Sequence, residues 1–176
     1  MSIYVAFLRG INVGGHHKVP MADLKQLLTK IGFEKVRTIL NSGNIVFEAK
    51  QNNLPQLEAK IESELEKYFG FSIPVILLPQ QQIIELVKQN PFAAIEVHPH
   101  IRLYVSFSKQ LPSVQIALPY ISADKAFSIL SIQKDTIISV LDLTNSNTPK
   151  GMDDLEKLFG KNMTTRNWNT IQKLAI

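Results

Sequence analysis

The sequence predicts an α+β protein of two tandem units packed together, and three observations carry that prediction. Short apolar runs of strand length alternate with stripes of helical period. Turn signals separate them at close intervals. The first half reads strand, helix, strand, strand, helix, strand, and the second half repeats strand, helix, strand, strand, helix with a helical ending. That order is the split βαβ arrangement of ferredoxin-like domains, so the expected architecture is two such units, residues 1–78 and residues 79–176.

Ile3 to Leu8 reads as a strand with apolar residues on both faces, hence a central one. Pro20 to Ile31 reads as a helix opened by its proline. Met21, Leu24, Leu27, Leu28 and Ile31 form its stripe, and Gly32 stops it. Val36 to Leu40 and Ile45 to Phe47 are strands joined by Asn41-Ser42-Gly43-Asn44, a strong turn signal. Leu54 to Phe69 is the second helix, with Leu57, Ile61, Leu65 and Phe69 in register, and Ile73 to Leu78 a closing strand. A linking helix, Gln80 to Gln89, leads into the second unit. There Ile101 to Phe107 is a strand with Ile, Leu, Val and Phe inward and Arg102, Tyr104 and Ser106 outward. A weak helix follows at Ser113 to Leu118, then a hairpin of Ala126 to Ile132 and Thr136 to Leu143, then helices at Asp153 to Phe159 and Trp168 to Leu174.

Composition narrows the class. Hydrophobic residues make up 45% of the 176 and charged residues 19%, a globular balance. The formal charge is +4 and the pI near 9.3, with two surplus positive charges in each half. No basic tail or domain stands out, although no acid precedes Asp23 and none follows Glu156. The absence of cysteine excludes disulfides, thiolate metal sites and cysteine nucleophiles, and fits a cytoplasmic protein. The opening apolar run is too short for a membrane span and has no basic segment before it, so a membrane partner is not expected.

The densest chemistry lies in residues 8 to 20, Leu-Arg-Gly-Ile-Asn-Val-Gly-Gly-His-His-Lys-Val-Pro. A Gly-rich link from strand to helix gathers backbone N–H groups, and Arg9 and Lys18 add positive charge, which together attract anions. Gly10 and Gly15 have P-loop spacing, but His16 and His17 intervene before Lys18, and Val19 stands where the hydroxyl belongs. Gly-x-Gly-x-x-Gly is also absent. A looser anion site and a purely structural turn stand on equal footing. No histidine pair has zinc-site spacing, and no metal or other cofactor is expected. Ser42 lies in a turn tetrapeptide, not a nucleophile elbow. The strands lack the RRM signature for RNA binding through an open sheet face. In the tail, Thr164, Thr165 and Asn167 are read as helix caps and Trp168 as an anchor, while Arg166 and Asn167 are also candidates for a ligand.

Topology ties two of these stretches together. With the third strand inserted antiparallel between the first and second, the loop after strand one and the turn between strands two and three share one end of the sheet. The candidate site is therefore Arg9, Asn12, Gly14, Gly15 and Lys18 beside Asn41, Ser42 and Asn44, closed by Arg166 and Asn167.

The segments Leu8 to Gly15, Lys18-Val19-Pro20-Met21 and Asn41 to Asn44, with Thr165-Arg166-Asn167-Trp168-Asn169-Thr170, resemble a bacterial domain-of-unknown-function family, number sixteen-ninety-seven. The resemblance implies a soluble bacterial protein of two ferredoxin-like units, and it brings no activity or catalytic residues. Members often carry a basic segment before the penultimate helix. Here Thr144 to Lys150 replaces it, with Ser146 and Lys150 as partial substitutes. The expected function is binding of a small anionic ligand, a nucleotide or phosphorylated metabolite. Two alternatives are an enzyme using His16 or His17 as general base and a nucleic-acid-binding protein using its basic ends. The sequence leaves the oligomeric state open.

Overall fold

The first apolar run forms β1 (Ser2–Leu8), and it is buried from Tyr4 to Leu8 because it lies inside a sheet. Its partners are β2 (Glu34–Ile39), β3 (Asn44–Ala49) and β4 (Val75–Pro79), in the order β2-β3-β1-β4 with every pair antiparallel. In the computed structural model, which describes residues 1–145 and 151–176, the chain divides into two compact units. Residues 1–88 with 172–176 make the first, and residues 89–171 the second.

Two helices cover one face of the first sheet. α1 (Met21–Lys30) turns Leu24, Leu27 and Leu28 inward, and α2 (Leu54–Phe69) does the same with Leu57, Ile61 and Leu65. Together with Ala6, Leu8, Ile45 and Phe47 they form one apolar core. Its driving force is the burial of these aliphatic side chains, each worth roughly 1.5–3 kcal/mol. Phe33 stacks on Phe47 at 4.5 Å between ring centroids. Pro20, expected as the first helical residue, sits instead at the N-cap of α1, one position before Met21, and offers no side-chain cap. Asn53 caps α2 by accepting the Gln56 N–H at 3.1 Å. The edge strand β4 is protected by α2: Glu62 accepts the Val75 N–H and Glu58 the Leu77 N–H, each at 2.8 Å. α3 (Gln80–Gln89) occupies the expected residues and buries Ile83.

The second unit contains β5 (Ile101–Ser108), β6 (Tyr120–Ile121), β7 (Phe127–Gln133), β8 (Thr136–Asp142), α4 (Gly151–Phe159), β9 (Met163–Asn167) and the start of α5 (Trp168–Leu174). Its antiparallel sheet runs β6-β7-β8-β5-β9. Apart from the two-residue β6, this repeats the strand order of the first sheet.

Three expectations fail in this unit. Residues 113–118 are irregular, not helical. Pro112 and Pro119 bracket the segment, and a residue before proline is disfavoured in the α region. Leu111, Val114 and Ile116 still pack on the core. Secondly, Thr164 to Asn167 do not cap a helix; they form β9, which takes the edge of β5 that β8 leaves free. Thirdly, Ser106 does not face outward. It is 1% exposed, since β5 has neighbours on both sides and its polar row shares a face with the core. The proposed substitutes Ser146 and Lys150 lie outside the described residues.

Candidate functional site

The loop after β1 builds a miniature hairpin. The Asn12 N–H donates to the His17 carbonyl at 3.1 Å, and the His16 N–H donates to the Val13 carbonyl at 3.0 Å. Between them Gly14 and Gly15 have φ of +58° and +77°. Two successive positive φ values are what a type I′ turn requires, and a side chain at either position adds about 1–2 kcal/mol of strain.

One side chain fastens this hairpin to the sheet. Asn12 donates from Nδ2 to the carbonyls of Val19 at 3.0 Å and Asn41 at 2.7 Å, while its Oδ1 accepts the Val19 N–H at 2.8 Å. The loop and the β2–β3 turn thus meet at one end of the first sheet. Leu8 N–H donates to the Gly43 carbonyl at 2.8 Å, and Arg9 N–H to that of Pro74 at 3.0 Å. Asn44 is wholly buried and donates to the Ile39 carbonyl and to Ser42 Oγ, both at 2.8 Å. The polar side chains of Asn12 and Asn44 are therefore spent on holding the loop and the turn in shape.

The loop's surface carries two cations beside an exposed Val13. Arg9 is half-buried and Lys18 exposed, and neither forms an ion pair with a described residue. His16 is exposed. His17 is exposed too, with its Nδ1 at 3.2 Å from the Gly10 carbonyl and its ring stacked on Phe71 at 4.5 Å and 18°. A stacked ring and a backbone carbonyl thus set the orientation of the imidazole. Phe71 escaped the motif reading; the aromatic density of Tyr68-Phe69-Gly70-Phe71 was the signal available for it. Among the described residues no three His, Asp or Glu side chains gather closely enough to hold a metal ion.

Arg166 and Asn167 belong to the second unit. Arg166 donates from its guanidinium to Thr164 Oγ1 at 2.6 Å and to the Thr165 carbonyl at 3.0 Å. Burial pushes its pKa down to about 10, which leaves it cationic at neutral pH. Asn167 is exposed at the end of β9, across from Tyr104. Thr165 Oγ1 meets Ser106 Oγ at 2.7 Å across the strands, and Trp168 sets its ring against the Phe92 ring at 5.2 Å.

Comparison with known proteins adds two likenesses. The sequence profile described as "Protein of unknown function (DUF1697)" matches residues 1–134, which include the loop and the β2–β3 turn and stop short of the Thr165 to Thr170 segment. The solved structure of conserved bacterial protein SP0830 from Streptococcus pneumoniae is similar, with a TM-score of 0.70 and 24% identity over 99% of this chain and 97% of that one. At that identity the likeness is one of fold. No curated protein matches the chain.

Proposed function

We propose a role for this chain, which belongs to the DUF1697 family of proteins of unknown function: it binds a small anionic ligand where the Arg9 to Lys18 loop meets the Asn41 to Asn44 turn. The observation that carries the reading is a pair of cations, Arg9 and Lys18, without carboxylate partners among the described residues, on a loop fastened by Asn12. Arg9 and Lys18 supply the charge, and the Gly14-Gly15 turn lets a phosphate approach the backbone closely. Asn12, Ser42 and Asn44 act from behind, by fixing where that loop stands. Both units, expected from the sequence at residues 1–78 and 79–176, are taken as ferredoxin-like, the second with an irregular crossover where its first helix was expected. The absence of cysteine suits a cytoplasmic setting. No helix among the described residues is long and apolar enough to cross a membrane.

A thermal-shift series with tripolyphosphate, nucleotides and sugar phosphates tests the reading, because a ligand bound only by the native state raises its melting temperature. Loss of one charge-assisted hydrogen bond costs about 1.5–3 kcal/mol, so Arg9→Ala and Lys18→Ala should each weaken binding by roughly 10- to 150-fold. No shift with any probe, or affinities unaltered in both variants, refutes it.

A further inference from the structure

We propose that the ligand of this site is a nucleoside phosphate, its base stacked on the His17 ring and its phosphate held by Arg9, Lys18 and the Gly14-Gly15 turn; this rests on the anion-binding reading above. A bare phosphate uses only the charges. The structure also holds an aromatic surface on the same loop. One face of the His17 ring lies on Phe71 at 4.5 Å, its Nδ1 is 3.2 Å from the Gly10 carbonyl, and the residue remains exposed. The series continues from Phe71 to Phe69 at 6.4 Å and from Phe69 to Tyr68 at 4.8 Å, ending on a tyrosine that is 54% exposed.

His17 adopts φ +50°, a left-handed conformation that a histidine takes at a cost, so the ring is presented at the expense of backbone strain. Its chain neighbour is Lys18, and Gly10, whose carbonyl faces the imidazole, follows Arg9. No carboxylate occurs in the chain before Asp23 to repel an anion. A planar base on a ring already held by a stacking contact and a carbonyl adds stacking at little ordering cost, whereas a sugar phosphate offers no planar ring to stack.

The test is calorimetric titration of the full chain with AMP, with ribose 5-phosphate and with an oligo(dA) strand. AMP should bind about tenfold more tightly than ribose 5-phosphate. His17→Asn, which tolerates the same backbone conformation, and Phe71→Leu should erase that preference and leave ribose 5-phosphate affinity unchanged. His17→Phe should keep it. Circular dichroism of each variant establishes that it folds. Equal affinity of AMP and ribose 5-phosphate for the unaltered chain overturns the base platform while the anion site stands. Binding of neither ligand overturns both. Oligo(dA) bound more tightly than AMP per base, with the same loss in His17→Asn, supports the stacking chemistry and makes a nucleic acid its source.

Discussion

At the scale of the residue, single groups decide where the candidate site stands. Asn12 meets three backbone partners with one amide, and each alternative side chain of similar size leaves at least one of them without its bond. Gly43 is as constrained. Its φ is +79°, and a Cβ there would lie 2.7 Å from Leu8 Cβ and 2.8 Å from Ile11 Cδ1. Leu8 is the end of a buried strand and Ile11 is 4% exposed, so neither neighbour yields easily. Gly43→Ala should therefore destabilise the protein by roughly 2–4 kcal/mol, from overpacking and left-handed strain together. Thermal denaturation should show a melting temperature lower by about 5–15 °C. A loss of less than a degree would mean that the turn moves freely away from β1.

At the scale of the element, periodicity identified the strands and helices that bury one clear face. α2 and α3 occupy their expected residues because their apolar stripes and flanking turns agree. β9 is the counterexample. Thr164, Thr165 and Asn167 suit a helix start by local chemistry. The edge of β5 opposes it by offering a ladder that satisfies backbone groups along the whole segment. Hydrogen exchange distinguishes the two. Alternate amides from Thr164 to Asn167 should be slowed on the order of a thousandfold, like those of β5, whereas a frayed cap exchanges within seconds.

At the scale of the whole molecule, the first unit is discontinuous in sequence. Residues 172–176 cluster with residues 1–88, where Gln80 Nε2 donates to the Leu174 carbonyl at 2.8 Å and Leu174 is 0% exposed. Arg37 adds a bond to the Ile176 carbonyl at 2.7 Å. Deleting residues 172–176 removes a buried leucine and strands the amide of a glutamine that is 7% exposed. The expected cost to the first unit is roughly 3–6 kcal/mol. It should appear as a lower urea midpoint, with Leu174→Ala giving the larger share. An unchanged midpoint would show that this segment contributes nothing to the unit's stability.

The sequence by itself determined the two-sheet α+β plan, most element boundaries, and the meeting of the Gly-rich loop with the Asn41 to Asn44 turn. These follow from period, turn chemistry and strand order, all of which act over short stretches or through topology. Only the tertiary structure decided that residues 113–118 stay irregular, that Thr164 to Asn167 pair with β5, and that Asn12 and Asn44 hold the loop and turn together from within. It also brought Phe71 under His17 across more than fifty residues of chain. Those outcomes depend on which partner a backbone edge, an amide or a ring finds after folding. The opening loop is in consequence fastened to the β2–β3 turn by Asn12, with the His17 ring stacked on Phe71.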